Sequence, residues 1–440
     1  MKAIWEKTVK REEFKSLSGD LKTDVLVIGG GMAGILCADL LKKAGVECAL
    51  IEADRIFSGV SGGTTAKITL QHSLIYQKLI SRFGSEYARL YLLAQREALQ
   101  KYTETCESID CDFRTCDSYV YSRRDREVLE RERDALASLG CRSVIKEDTE
   151  LPFSVVGALR LGGQACFDPL KFAYSLARSL EIYEKTKALK ILKDGVLTDR
   201  GVIRAKKIIV ATHFPFVNSH GAYFIKMYQS RSYVLALKGV PAMRGIYLDE
   251  AQNGLSFRSV GECLLLGGGA HRTGKEGGGW NELSKAADIY YRNTLEVGRW
   301  ATQDCMTLDG VPYIGKYYPA SENVYVATGF NKWGMSGSMV SALILRDMIL
   351  GRKNEYAKIF SPSRSILHPQ LLVNVGESLA GFLRLVPPRC SHLGCSLVYN
   401  REEHSWDCPC HGSRFSADGE LYDGPAQTDI EIKKQKKRRK

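Results

Sequence analysis

Residues 24–52 constrain the fold of this 440-residue chain more than any other stretch. DVLVI (24–28) is short, β-branched and apolar, the pattern of a strand buried on both faces. It runs straight into GGGMAG, which sets Gly29, Gly31 and Gly34 in a G-x-G-x-x-G spacing. A helical pattern, ILCADLLKKAG, follows, and then a second strand, ECALIE, that closes on Glu52. This is the logic of a dinucleotide site. The tight turn needs Gly29, a pyrophosphate needs the bare backbone of Gly31, and Gly34 lets helix and strand pack closely. The helix N-terminus offers free N–H groups and a positive dipole end. Glu52, 18 residues past Gly34, is placed to accept hydrogen bonds from ribose hydroxyls. A glycine-rich loop alone does not produce strand, glycines, helix, strand and acid in this order. The pattern does not choose between FAD and NAD.

A second constraint lies near the other end. Cys390-x-His392 and, after 15 intervening residues, Cys408-x-x-His411 bring two cysteines and two histidines into short loops. Two thiolates and two imidazoles suit an asymmetric 2Fe–2S centre, with thiolates on one iron and imidazoles on the other. A Cys₂His₂ zinc site draws on the same donors. It gives no role to Cys395 and Cys410, which hold fixed places beside them.

The loops RCSHLGC (389–395) and CPCHGS (408–413) resemble those of Rieske proteins of the cytochrome-bc type. That resemblance implies a 2Fe–2S cluster on Cys390, His392, Cys408 and His411. It also implies a disulfide between Cys395 and Cys410 and a covering third loop at Gly424-Pro425-Ala426. Two departures matter. High-potential members carry Tyr two residues after the Ser that hydrogen-bonds a cluster sulfur, whereas here Ser413 is followed by Arg414 and Phe415. A donor toward a ligand thiolate is missing, so a lower reduction potential is expected. The usual base of small strands is also shortened: residues 366–389 suggest a helix stopped by Pro387-Pro388. The loops and strands that remain, roughly 45 residues, are too few to fold alone, so the module is expected to dock on the rest of the chain.

Three further segments resemble the D-amino-acid-oxidase-like flavoproteins. Arg55 and SGVSGGTTAK (58–67) stand where that family runs a Gly/Ser/Thr-rich loop past the flavin. VIRAKKIIVATH (202–213) resembles its returning strand. TLDGVPYIG and VYVATGFNKWGMSGS, between Thr307 and Ser338, resemble its closing motif. There Asp309, Pro312 and Gly315 precede a strand, and Gly329, Gly334 and Gly337 open the last helix toward the flavin. The resemblance implies FAD held by Gly29, Gly31, Gly34, Glu52, Arg55, Thr64, Thr65, Asp309, Gly329 and Gly334. It implies an α/β chain: a Rossmann-like FAD-binding domain (about 20–75, 165–215 and 300–360) with an inserted mixed-sheet substrate domain (about 76–164 and 216–299). A small all-β Rieske cluster-binding module (366–432) and a basic tail (433–440) follow residues 1–365. LLLGGGAHRTG (264–274) lacks the third glycine and the acidic strand end of a second nucleotide site. It is expected to be a loop near the substrate pocket.

The net charge of +12 owes much to the last eight residues, KKQKKRRK, seven of them basic; such a run usually only solubilises. No secretory signal and no membrane span is legible, and nine cysteines are scattered without pairing spacing. A cytoplasmic protein is expected, with no nucleic-acid partner.

Together these features imply an oxidoreductase passing electrons between a small-molecule substrate, FAD and the cluster to a protein acceptor. The resemblance makes that substrate amine- or amino-acid-like. A ferredoxin-like donor feeding a flavin reductase, or a non-enzymatic redox sensor, are the alternatives. The size of the inserted domain favours an enzyme. The catalytic residues are not legible. By analogy with relatives that oxidise C–N bonds, Arg231 and Tyr233 are candidates on a strand expected to face the flavin, with His271, Arg272, Lys332 and Trp333 beside them.

Overall fold

The apolar run at 24–28 becomes the strand Leu21–Ile28, the middle of a sheet whose members lie parallel around it. Gly201–Val210 pairs on one side and Cys48–Ile51 on the other, both parallel. Val324–Thr328 and Glu181–Tyr183 extend the two flanks in parallel, and Tyr313–Lys316 closes one edge antiparallel. The helices Met32–Lys43 and Gly334–Ile349 are buried almost all round, Ile35, Leu36, Ile344 and Leu345 among their core side chains. Helices apolar on every face belong in a core, and these two form the layer behind the glycine turn. The computed structural model describes residues 3–217, 220–251, 253–384 and 386–432.

A second, mixed sheet forms the inserted domain. Its order is Leu295–Thr307, Met227–Lys238, Cys263–Arg272, Ser256–Val260, Ile246–Asp249, Arg114–Ser122, Gly157–Cys166 and Lys67–Ile68. Two expectations change here. The segment 264–274 is not mainly a loop: through Arg272 it is a strand hydrogen-bonded between two neighbours, with Leu264 and Leu266 in the core on one face and Leu265 in the core on the other. The inserted sheet also runs past residue 299, since Leu295–Thr307 pairs along the whole of Met227–Lys238.

The C-terminal module is a four-stranded antiparallel sheet of Val398–Asn400, Ser405–Asp407, Arg414–Ser416 and Leu421–Asp423. The expected helix is Pro369–Leu383, opened by Pro369 at its first turn and ending ahead of Pro387-Pro388. Among the described residues no helix is long and apolar enough to cross a membrane. The basic tail 433–440 lies outside the described residues.

Candidate active site and cluster centre

The glycine turn has the geometry its sequence required. Gly29 has φ +111°, and a Cβ on it would lie 2.5 Å from the Ala211 carbonyl oxygen. A Cβ on Gly34 would lie 1.9 Å from the Gly29 carbonyl oxygen, so helix and strand touch backbone to backbone. A Cβ on Gly31 would meet only Ser61 Oγ, at 3.1 Å, and one on Gly334 would meet nothing within 4 Å. Both glycines border a cavity of about 1420 Å³, together with Glu52, Arg55, Thr64, Thr65, Asp309 and Met335. That is more room than the ~300–1,000 Å³ typical of a small-molecule site. The helix start at Gly31, with no acidic residue in its first turn and the Met32 N–H donated to Ser61 Oγ at 3.0 Å, faces this space.

Individual residues refine the expected FAD set. The Glu52 carboxylate accepts from the N–H groups of Gly30 (2.7 Å) and Asp54 (2.9 Å), and burial raises its pKa against those bonds. The loop before Lys67 is pinned by its carbonyls. Trp300 Nε1 donates to Gly63 (2.7 Å), Trp5 Nε1 to Thr64 (2.7 Å) and Arg258 to Thr65 and Ala66. Asp309 borders the cavity with its carboxylate held by Arg364, Oδ2 to Nε 2.7 Å, and capping the Val311 N–H at 3.1 Å. It shapes the closing turn with both oxygens engaged. Gly329 sits at φ +73°, with Thr307 Cγ2 where a Cβ would go.

The far end of the cavity brings the candidates Lys332 and Trp333 together with Lys67, Asp304 and His72, which the sequence did not single out. Lys67 and Lys332 put two ammonium groups on the wall and Asp304 a carboxylate. Burial, then Arg258 and Lys332, pull Lys67 down to about 7. Burial raises Asp304 and lowers Lys332. Lys332 holds φ +71°, a conformation costly for a side-chain-bearing residue and common at functional sites. His72 lies against the start of the helix Gly334–Ile349. It is fixed by Tyr91 OH (2.7 Å) and Ser336 Oγ (2.9 Å) and stacked on Trp333 at 4.7 Å. Burial lowers it to about 3, so it is neutral.

Arg231 turns out to be on the right strand and the wrong face, whereas Tyr233, past a register shift in the strand, borders the cavity. Successive strand residues point to opposite sides. Tyr228, Ser230 and Ser232 border the cavity, while Gln229 and Arg231 point to the C-terminal module. Arg231 Nε donates to Glu403 Oε1 at 3.0 Å, and the Tyr233 hydroxyl, though bordering the cavity, donates to the same oxygen at 3.0 Å. His271 stacks on Tyr233 at 5.6 Å. Arg272 donates to the carbonyls of Pro409 and Cys410, both at 3.3 Å. These are docking contacts, and they take up the Arg231 guanidinium, while Tyr233, His271 and Arg272 also border the cavity.

The cluster loops sit on this back face. Cys390, Cys408 and His411 are buried and His392 is half-buried, the two imidazole rings 5.0 Å apart and near perpendicular. His411 Nδ1 is buried without a hydrogen-bond partner, as a metal-ligating nitrogen would be. Burial lowers both histidines to about 4, so each offers a neutral lone pair. Cys408 and then burial push the Cys390 thiol up, the Ser413 hydroxyl opposes them by hydrogen-bonding the Cys390 sulfur, and Ser413 Oγ accepts from Ala426 N at 3.0 Å. The donor set therefore fits an iron–sulfur centre. Cys395 and Cys410 are free thiols in the structure, their Sγ atoms within 4.8 Å of each other and of Cys408 Sγ. The expected disulfide is not formed; Cys410 Sγ instead points at the Glu377 carbonyl, at 3.7 Å.

A glycine-turn dinucleotide cleft beside a large mixed-sheet domain, with a cysteine–histidine centre on its back, defines a flavin-dependent oxidoreductase carrying a Rieske centre. Residues 24–348 match the family model DAO, FAD dependent oxidoreductase, and residues 354–434 match the Rieske [2Fe-2S] domain. The chain belongs to this family of FAD-dependent oxidoreductases, with a C-terminal Rieske domain. It is 34% identical to the Rieske 2Fe-2S iron-sulfur protein YhfW of Bacillus subtilis (strain 168), over 96% of this chain and 95% of that one. A 43-residue stretch is 44% identical to the cytochrome b6-f complex iron-sulfur subunit of Synechococcus sp. (strain JA-3-3Ab), covering 10% of this chain and 25% of that one. The fold is similar to glycine oxidase from Geobacillus kaustophilus, with TM-score 0.66, 21% identity and coverage of 78% and 99%. It is also similar to L-proline dehydrogenase from P. horikoshii, with TM-score 0.65, 17% identity and coverage of 79% and 98%. The chain is an oxidoreductase that binds FAD and a 2Fe–2S cluster.

Proposed function

We propose that the chain oxidises a small amine or amino-acid-like molecule in the cavity and delivers the electrons through its Rieske centre to a ferredoxin-like protein. One observation carries this reading. Gln229 donates to the carbonyl of the ligand His411 at 3.0 Å, while its neighbours Tyr228 and Ser230 border the cavity. A single sheet thus separates the place of oxidation from the cluster loops. Bound FAD supplies the capacity to take two electrons, and the cluster the capacity to carry them singly.

The chain's own residues set the stage. Lys67 and Lys332 suit a substrate carboxylate, and Asp304 an amine beside it. Neutral His72 fixes Trp333 at the helix start. Leu421, Tyr422, Asp423, Gly424, Ala426 and Gln427 border the same cavity. The amino-acid substrates in the names of the two fold neighbours support this choice of class. Cys395 and Cys410 are close enough for oxidation to join them in the mature module, and alkylation with mass spectrometry of the holoprotein should then find both unlabelled.

The test is anaerobic. Amines and amino acids are mixed with wild type and with His411→Ala, and flavin bleaching, the EPR signal of the reduced cluster and reduction of an added ferredoxin are followed. Bleaching in both proteins, with the cluster signal and ferredoxin reduction lost in the variant, is expected. No bleaching by any candidate, or unchanged ferredoxin reduction in His411→Ala, overturns the reading. Reduced ferredoxin bleaching a flavin that no substrate bleaches reverses the direction.

A further inference from the structure

The helix Pro369–Leu383 is inside out. Amphipathic helices of folded domains bury their apolar face. Here the buried face is small and polar. Asn374 bonds Arg272 and the Ile225 carbonyl, Glu377 pairs with Lys275 at 2.7 Å, Ser378 Oγ lies 3.4 Å from His411 Nε2, and Gly381 sits over Cys410. The face turned to solvent carries Leu372 (77% exposed), Leu379 (57%) and Leu383 (79%), with Val373, Val375 and Phe382 between them. Among the described residues, nine of the sixteen exposed large hydrophobic side chains fall between Leu367 and Leu393. Exposed apolar side chains scattered singly need no explanation; a concentration like this one does. The helix cannot roll to hide it without breaking the polar contacts beneath.

The rim says what covers this face. The Arg82 guanidinium donates to the Leu367 carbonyl at one end, and Arg384 and Arg389 are exposed at the other. Glu377 is the one acidic residue from 365 to 400, and it is paired inward. The chain leaves the module close by, Thr428 accepting from Ser391 Oγ at 2.6 Å, and four residues further on the basic run 433–440 begins after Ile432. A second copy docked on this face would set the same arginines against one another. An apolar face edged by cations matches acyl chains beneath and lipid phosphates around. We propose that the helix face formed by Leu372, Leu379 and Leu383 lies on an anionic phospholipid bilayer, held by burial of these side chains and by the arginine rim. The chain is then peripheral, with its cluster module turned to the lipid surface.

Flotation of the full holoprotein tests this, with vesicles of equal parts phosphatidylglycerol and phosphatidylcholine and with phosphatidylcholine alone. Wild type should float with the mixed vesicles and far less with the neutral ones. In the triple variant Leu372→Asn, Leu379→Asn, Leu383→Asn the bound fraction should fall at least about tenfold with flavin and cluster spectra unchanged. Wild type staying unbound, or the triple variant floating equally well through its tail, overturns the proposal. So does a wild-type dimer in sedimentation that the triple variant abolishes. If the triple variant loses its cluster, Leu383→Trp replaces it. Its emission, as the difference from wild type, should move to the blue on the anionic vesicles, and no movement overturns the proposal.

Discussion

Arg231 of the substrate sheet and Glu403 of the Rieske module form a buried ion pair, their side chains 3% and 8% exposed. Arg414 joins from the module, 2.9 Å from the second Glu403 oxygen, and also pairs with Asp407 at 3.0 Å. One carboxylate thus balances cations from both sides of the interface. Glu403→Gln leaves Arg231 with no acidic partner in this pair, and removing one partner of a buried pair costs about 3–5 kcal/mol. Denaturant unfolding together with iron content per chain should show that loss. Stability within about 0.5 kcal/mol of wild type would mean that the pair does not hold the module.

The same residue sets a pH dependence. Burial pushes the Glu403 carboxyl up, but Arg231 and Arg414 outweigh it and hold the pKa below the ordinary value. A lowered folded pKa means stability that is present above the unfolded value, about 4.3, and lost as pH falls through the folded one. The gap in melting temperature between wild type and Glu403→Gln should therefore be full at pH 7 and shrink below about pH 4. A gap that widens on acidification would contradict this sign.

Lys67 gives a slope of the same sign, from a cost that is relieved instead of a gain that is lost. Burial, then Arg258 and Lys332, depress it to about 7. Below that pH the chain bears the cost of a buried cation, and stability rises as pH climbs from about 7 toward the unfolded value near 10.4. Lys67→Met should raise the melting temperature more at pH 6 than at pH 9, while weakening flavin bleaching by an anionic substrate. Equal shifts at both pH values would show that the ammonium is not buried.

Gly31 and Gly34 separate folding from cofactor binding. A side chain at Gly31 enters the cavity and meets only Ser61, whereas one at Gly34 strikes the Gly29 backbone. Gly31→Val should lose flavin absorbance while keeping fold and cluster signal, and Gly34→Val should lose soluble protein altogether. Wild-type flavin content in Gly31→Val would remove this turn from the FAD site.

The cluster potential should move both ways. Ser413 hydrogen-bonds the Cys390 sulfur, and Phe415 is fully buried in the same small core as Cys390 and Cys408. Ser413→Ala removes a donor and should lower the potential; Phe415→Tyr adds one and should raise it. Redox titration by EPR measures both, and a shift of the same sign in the two variants would rule out this cause.

What could be read in advance was local. Gly29, Gly31 and Gly34 act within one turn, and Cys390, His392, Cys408 and His411 within two short loops, so spacing was enough. Pairings across long separations left no local trace. Arg231 and Glu403 are 172 residues apart, and nothing near Arg231 states which face of its strand it takes. Shifting one residue along a strand exchanges its two faces, and that is why the cavity received Ser230 and Ser232 instead. The closing motif marks Asp309, but its partner Arg364 lies 55 residues away and leaves no local trace. Lys67, Asp304 and His72 were passed over because their surroundings come from three separate segments. The amphipathic pattern of Pro369–Leu383 was legible, but its inverted orientation was not.

Gly274 on the substrate domain meets Pro409 in the cluster loop so closely that a Cβ there would lie 2.6 Å from the proline nitrogen. At that point the seam between the two halves closes main chain on main chain. No rotamer there can take up slack, and no side chain can cushion a change. The Rieske module is therefore no pendulum on a tether, as the segment from Leu350 to Pro369 taken alone would allow. The span an electron crosses is dictated by the scaffold, and a cluster module borrowed from elsewhere fits only if it brings a matching bare contour.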